Sequence, residues 1–418
     1  MTETGPAAAA SRRVDVLVVG AGPAGLAAAA RLAAAGAGRV EVLEREPAAG
    51  GVPRHCAHGG FGTWRRPSTG PGYARLLTES AERAGAVIRT RTTVLDWVAG
   101  PCRALTAVGP GGPETIEARA VVLATGARER PRTARLVPGT RPAGVCTTGE
   151  LQQAVHLFGQ HIGTRAVVVG AESVSYAAAD TVRAAAAEVV ALVTEHSRAQ
   201  TGRIRAEAAR LGHGVPLLTD TVVVELLGHG RLSGVRVRHR DGRTAVLACD
   251  TAVFTGDFVP DHECARRGGL VLDPGTRGPA VDGSLHTSRP GVFAAGNVLH
   301  AVEPAGTAAA EGALAARAVL DFLAGTPWPD PGPPLTVEAP LRWIAPNRVT
   351  TAGPPARHVL RTGAPLTRPV LRVHQDGRLL HSERPALGTV LPNRTLTLTA
   401  RWTERVDPAG GPVRVSVG

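Results

Sequence analysis

Residues 14–36, VDVLVVGAGPAGLAAAARLAAAG, constrain the fold more than any other stretch. Val14–Val19 is a largely apolar run of strand length, the kind buried in a parallel sheet. Gly20, Gly22 and Gly25 follow at G-x-G-x-x-G spacing, with Pro23 and Ala24 opening an Ala- and Leu-rich run that reads as a helix. The glycines have separate tasks: a tight turn, close approach of backbone to a pyrophosphate, and close packing of helix on strand. The helix N-terminus then turns its free N–H groups toward the phosphates. A lone glycine motif is weak evidence. Here a second strand, RVEVLE, ends at Glu44, about 20 residues on, where an acid would hold a ribose hydroxyl. The stretch therefore reads as a dinucleotide-binding Rossmann unit.

A second unit of the same design begins at RAVVVGAESVSYAAADTVRAAAAEVVALVTE, and its second strand ends at Glu195. Gly170 keeps the first glycine position, but Glu172 replaces the second and Ser175 the third. A carboxylate there adds bulk and a like charge against a pyrophosphate. Two readings follow: a nicotinamide site with altered phosphate contacts, or a nucleotide fold kept as scaffold. The bulk and charge of Glu172 favour the scaffold. If a nucleotide does bind, Glu195 selects NAD over NADP. The expected fold class is α/β, with tandem Rossmann-like domains.

Two further segments extend the pattern. VVLATGARERPR leads a strand into Ala124, Thr125 and Gly126. TSRPGVFAAGNVLHAVEPAGTAAAEGALAARAV ends a strand at Gly296, continues through Asn297, and opens a helix near Gly306 and Thr307. Together these motifs resemble the FAD-dependent pyridine nucleotide–disulfide oxidoreductase superfamily over roughly residues 12–325. With GGVPRHCAHGGFG and FTGDFVPDHECARRGGL, the chain looks most like flavoprotein subunits of dye-linked amine and amino-acid dehydrogenases, of the opine oxidase and hydrogen cyanide synthase type. The resemblance implies FAD as cofactor; Glu172 and Ser175 in the second turn make NAD(P) possible but doubtful. It also implies an oligomer whose partners are a small iron–sulfur protein and a second flavoprotein subunit. It places Asn297 where an aspartate usually meets the ribityl and phosphate region. It turns the last helix's N-terminus toward the flavin ring, where it favours the anionic reduced form.

GGVPRHCAHGGFG, residues 50–62, then becomes the segment running from the FAD ribose toward the ring. In disulfide reductases of the superfamily this segment carries a C-x-x-x-x-C pair. Here Cys56 is followed five residues on by Phe61, so a dithiol relay is not expected. His55, Cys56 and His58 have no second cluster to complete a metal site, and none is expected. Arg45, Gly51, Arg54 and His55 are candidate cofactor contacts. His55 and His58 are candidate acids or bases, because imidazole titrates near neutral pH; the plainer reading of each is a hydrogen-bonded structural residue. Cys56 is a candidate reactive thiol or a small buried filler. Glu303 is a candidate for holding an amine cation or a ribose, against a plainer surface salt bridge.

Composition narrows the classes. Of 418 residues, 43% are hydrophobic and 20% charged, ordinary for a globular chain. The net charge is +12 and all 47 basic residues are arginine. Aromatics make up 3%, and no basic stripe interleaves with them, so nucleic acid is not the expected partner. No apolar run reaches membrane-spanning length and no secretory signal opens the chain. The five cysteines form no C-x-x-C pair, which suits a reducing cytoplasm.

The expected domains are a first part of the flavin domain (12–148), an inserted NAD(P)-type domain (149–279), the return of the flavin domain (280–327), and a C-terminal β-rich module (335–418). Asp241-Gly242 and Asp376-Gly377 mark hairpins. The expected function is FAD-dependent oxidation of a small substrate, or electron relay within a dehydrogenase. The alternatives are an NAD(P)H-dependent flavin reductase and a non-catalytic nucleotide-binding assembly subunit.

Overall fold

The computed structural model describes residues 10–63, 65–100, 103–301, 303–350, 357–386 and 388–418. The apolar run before the first glycine turn forms the centre of a seven-stranded sheet. Ala10–Val19 pairs in parallel with Val40–Leu43 on one side and Gly112–Leu123 on the other, with Val18 opposite both Val42 and Val122. Val292–Ala294 joins alongside Gly112–Leu123, so a late segment completes the sheet that the N-terminal segment began. The first strand starts at Ala10 rather than Val14. Its polar extension is held by Arg12, whose guanidinium lies between Glu41 and Glu114. Charged residues interrupt the apolar pattern there, yet the ladder continues.

The helix Pro23–Ala34 packs against the long helix Ala305–Leu323. A Cβ on Gly312 would lie 1.9 Å from the Ala24 carbonyl oxygen, so glycine is needed for the two axes to come this close. Ala265, Leu270 and Val281 pack in the same core, so the chain rejoins it upstream of residue 280.

A second, five-stranded parallel sheet has Thr251–Phe254 between Val145–Thr147 and Arg165–Val169, followed by Glu188–Val193 and Leu217–Leu218. It has its own core around Val168, Tyr176 and Leu192. An antiparallel sheet follows, with the expected hairpin turning at Asp241-Gly242. Ala127–Glu129 and Phe258–Pro260, the two crossings between the Rossmann sheets, pair antiparallel.

The described residues of 335–418 form a four-stranded, a three-stranded and a two-stranded sheet around one apolar core that includes Leu360, Val373, Trp402 and Val415. The turn at Asp376 (φ 49°) and Gly377 (φ 79°) has both central residues left-handed, as a two-residue hairpin with right-handed twist requires. Among the described residues, no helix is long and apolar enough to cross a membrane.

Candidate active site

The first glycine turn, the strand end at Leu123 and the segment after residue 50 meet at the carboxyl ends of the parallel strands. This is the crevice where open α/β sheets take ligands. Gly20 has φ +105°, and a Cβ on it would lie 2.5 Å from the Ala124 carbonyl oxygen. A Cβ on Gly25 would lie 1.9 Å from the Gly20 carbonyl oxygen. Gly51 adopts φ 62° and ψ −152°, a region open essentially to glycine alone, and a Cβ on it would lie 2.8 Å from Gly22 Cα. Above Gly22 and Gly126 the space is open, with nothing within 4 Å of an added Cβ. Glu44 is buried; its Oε2 accepts from Ala21 N–H at 3.0 Å and its Oε1 from Glu46 N–H at 2.9 Å.

Of the expected contacts, Gly20, Gly22, Pro23, Ala24, Gly25, Glu44, Gly51, Ala124, Thr125, Gly126 and Gly296 therefore gather on one crevice. The Thr125 hydroxyl donates to the Asp261 carbonyl at 2.6 Å, and a Cβ on Gly296 would touch Ala24 Cβ at 2.7 Å. Gly306 and Thr307 lie in the first turn of the helix Ala305–Leu323, and the space over Gly306 is open. Arg45 stands apart, mostly exposed and 3.6 Å from Asp261. Open space above the helix N-terminus, beside an acid at the second strand's end, fits a dinucleotide.

The segment 50–62 folds as a short 3-10 turn, Val52–His55, against the helix Gly70–Arg83. His55 is buried, and its Nε2 has no hydrogen-bond partner. Burial, with the Arg54 and His156 charges, pulls its pKa down to about 4, so the ring is neutral at neutral pH. The Cys56 thiol donates to Val52 O or Gln152 Oε1, each at 3.4 Å, and burial followed by the nearby Glu129 pushes it up to about 12. At neutral pH this holds Cys56 as the thiol, the form that suits a small buried filler rather than a nucleophile. His58 is half-buried, its Nδ1 2.7 Å from the Gly59 carbonyl and its ring beside Phe61. Arg54 is half-buried.

The residue that sequence reasoning missed here is Glu129. Its Oε2 accepts from Gly149 N–H at 2.8 Å, at the start of the helix Thr148–His156, while its buried Oε1 has no partner. Burial raises its pKa to about 7, against the opposing pull of the Gly149 N–H, Thr148 and Arg135. The available signal was its place three residues beyond Gly126, directly after the strand-end motif.

At the last motif the structure corrects two expectations. Glu303 is 7% exposed, and its carboxylate is held by Arg361 Nη2 at 2.7 Å and the Thr395 hydroxyl at 2.9 Å. It is neither a surface salt bridge nor free to hold an amine cation, because its charge is already compensated by the C-terminal module. The Asn297 side chain donates to the Glu303 carbonyl at 3.3 Å and accepts from Glu303 N–H at 3.1 Å, so its amide clamps this loop. His300 lies 2.8 Å from Glu311 and stacks on Trp343. Burial opposes its charge, but Glu311 prevails and raises its pKa.

The second glycine turn is built differently from the first. Glu172 is 9% exposed; its Oε2 accepts from Ala171 N–H at 3.0 Å and its Oε1 lies 3.2 Å from the Thr255 hydroxyl, which also lies 2.9 Å from the Val169 carbonyl. Ser175 Oγ lies 2.6 Å from Thr255 Oγ1 and accepts from Glu172 N–H at 3.2 Å. Gly170 is hemmed in by all three side chains. The four cysteines of the described residues are free thiols, and no cluster of three or more His, Cys, Asp or Glu there is disposed to hold a metal ion. Glu195 lies exposed, two residues beyond the strand Glu188–Val193.

Residues 14–312 match the pyridine nucleotide-disulphide oxidoreductase family. An opine oxidase subunit from Rhizobium meliloti is 30% identical over 339 residues, covering 73% of this chain and 62% of that protein. Its counterpart in Agrobacterium tumefaciens is 31% identical over 337 residues, covering 73% and 65%. The chain thus spans less than two thirds of the length of these opine oxidase proteins. A thioredoxin reductase of Mycolicibacterium smegmatis is 29% identical over 306 residues, covering 72% of this chain and 94% of that one. The solved thioredoxin reductase of T. acidophilum superposes with a TM-score of 0.62 at 23% identity, covering 74% of this chain and 99% of that one, which shows a shared fold. The chain belongs to the pyridine nucleotide-disulphide oxidoreductase family and is an FAD-dependent oxidoreductase.

Proposed function

We propose that this chain is the FAD-bearing subunit of a dehydrogenase that oxidises a small amine or amino acid, and that it does not reduce disulfides. The observation that carries this reading is the state of Cys56. It has Phe61 where a second cysteine would complete the pair, and its thiol is pushed up to about 12. A dithiol relay needs an accessible thiolate beside a partner sulfur. The likeness to proteins named as opine oxidase subunits supports an oxidative role within an assembly.

The crevice from Gly20 to Gly25, with Glu44, Gly51 and Thr125, would hold the dinucleotide. When bound, FAD supplies a two-electron acceptor for hydride. The protein's own contribution is proton handling and exclusion of water. Glu129, buried and titrating near 7, can take or return a proton at neutral pH. The neutral His55 presents an unpartnered Nε2 from the adjacent turn. Arg361 and Trp343 of the C-terminal module fix the loop before the helix Ala305–Leu323, and so fix where that helix N-terminus points. Electrons would leave to a second flavoprotein or a small iron–sulfur protein.

The test is anaerobic mixing of the FAD-loaded protein with a panel of amines and amino acids, in parallel with a disulfide-reduction assay using NADPH and a small disulfide. Bleaching of the flavin absorption by a panel member, with no disulfide turnover, is the expected result. Steady NADPH-driven disulfide reduction would sink the reading.

A further inference from the structure

The two glycine turns in this chain can be compared position by position. In the first, Gly22 occupies the second motif position, an added Cβ on it meets nothing within 4 Å, and Thr125 stands two residues after the strand end at Leu123. In the second, Glu172 replaces Gly22's counterpart, and Gly256 stands where Thr125 stands in the first, two residues after the strand end at Phe254. A Cβ on Gly256 would lie 2.0 Å from Glu172 Oε1. The volume left open in the first fold is filled in the second by a side chain of the turn itself.

The electrostatics match the sterics. In the first fold the acid from the second strand, Glu44, takes the Ala21 N–H and leaves the helix N-terminus clear. In the second fold the strand-end acid, Glu195, is exposed, and Glu172 takes the equivalent Ala171 N–H. The Thr255 hydroxyl lies on the opposite wall, 3.2 Å from Glu172 Oε1 and 2.9 Å from the Val169 carbonyl, and shares its one proton between them. That wall is fixed by Arg135, which donates to the Thr255 and Gly256 carbonyls at 3.0 and 2.8 Å. A buried carboxylate so placed offers an approaching pyrophosphate like-charge repulsion and fills the space that Gly22 leaves open in the first fold.

We propose that the Glu172 carboxylate is a built-in occupant of the second fold's phosphate site, and that it excludes NAD(P)H from this domain. Glu172 is then the residue that sets the electron donor. NAD(P)H is refused, and reducing equivalents reach the first domain from another substrate. This inference does not depend on that substrate being an amine.

The test measures binding of NADH and of ADP-ribose to the FAD-loaded full chain by calorimetry, for wild type, Glu172→Gly and Glu172→Ser. Serine keeps a helix-capping acceptor while removing the bulk, so it carries the test if the glycine variant does not fold. The expected result is no saturable binding to wild type and saturable binding to a folded variant, with affinity raised about tenfold or more, equivalent to about 1.4 kcal/mol. Tight NADH binding by the wild-type protein overturns the proposal. So does a folded variant that binds no better than wild type, because the carboxylate is then not what closes the site. An amine-reduced flavin with a closed second site, or the reverse, separates this inference from the reading of the substrate.

Discussion

Arg361 donates to Glu303 across 2.7 Å, and both side chains are almost completely buried. One comes from the C-terminal β module and the other from the loop that leads into the helix Ala305–Leu323. The module is therefore tied to the flavin-binding framework through charge as well as packing. Removing one member of a buried pair leaves an uncompensated charge, which costs roughly 3–5 kcal/mol, whereas replacing both with neutral groups of similar volume costs far less. R361A should lower the urea midpoint by a corresponding amount, and the double variant E303Q/R361M should recover most of the loss. Equal destabilisation by the two would show that the pair is not what couples the parts.

Gly22 and Glu172 occupy corresponding positions, so the first site should be closable in the same way. Gly22→Glu places a carboxylate in space that is open in the structure, so the fold should survive. The cofactor should not. The variant is expected to purify colourless, with native circular dichroism and a melting temperature no longer raised by added FAD. A yellow G22E protein would mean that the pyrophosphate lies elsewhere.

Both Rossmann units were legible because their signal is local: apolar strand, glycine turn and helix lie within about 30 residues. The hairpins at Asp241-Gly242 and Asp376-Gly377 were legible for the same reason. The roles of Glu303 and Glu129 were not. Glu303's partner Arg361 is 58 residues away in a separate module, and nothing in the local pattern marks either residue as buried. Glu129 looks like one charge in a run of charged residues; its raised pKa comes from burial at the junction with the helix Thr148–His156. The bulk and charge of Glu172 could be read from sequence, but not the way its carboxylate folds back onto Ala171 and Thr255.

Cys56 should behave as a filler. With its pKa pushed up to about 12, the thiolate fraction at pH 8 is on the order of one part in ten thousand. Iodoacetamide should leave Cys56 unlabelled in the native protein, as read by mass spectrometry. C56S should retain substrate-driven flavin reduction within about threefold, since no thiolate takes part. Loss of reduction in a folded C56S protein would restore the sulfur as a reactant.

Glu129 gives a pH signature. Its folded pKa, raised to about 7, lies above its ordinary value. Its contribution to stability is thus present below that ordinary value and is lost as pH rises through about 7. Over the same range it becomes a competent proton acceptor. The rate of flavin reduction by substrate should rise across pH 7, and E129Q should remove the inflection while making the protein more stable at pH 8. An unchanged pH–rate profile in E129Q would leave Glu129 a structural cap on the helix Thr148–His156.

The acid limb of stability should be set in part by His358. The ring packs on Trp402, its Nδ1 is buried without a partner, and burial alone lowers its pKa to about 4. The unfolded chain takes up this proton near pH 6.5 and the folded chain only near 4, so unfolding is favoured as pH falls between those values. The stabilising contribution is complete above pH 6.5 and is lost toward pH 4, amounting to about 3 kcal/mol for a shift of this size. His55 shifts in the same direction and adds to the same limb. Chemical denaturation of the wild type should show stability falling from pH 6.5 to 4, and H358L should flatten that fall. A parallel fall in H358L would assign the acid sensitivity to other groups.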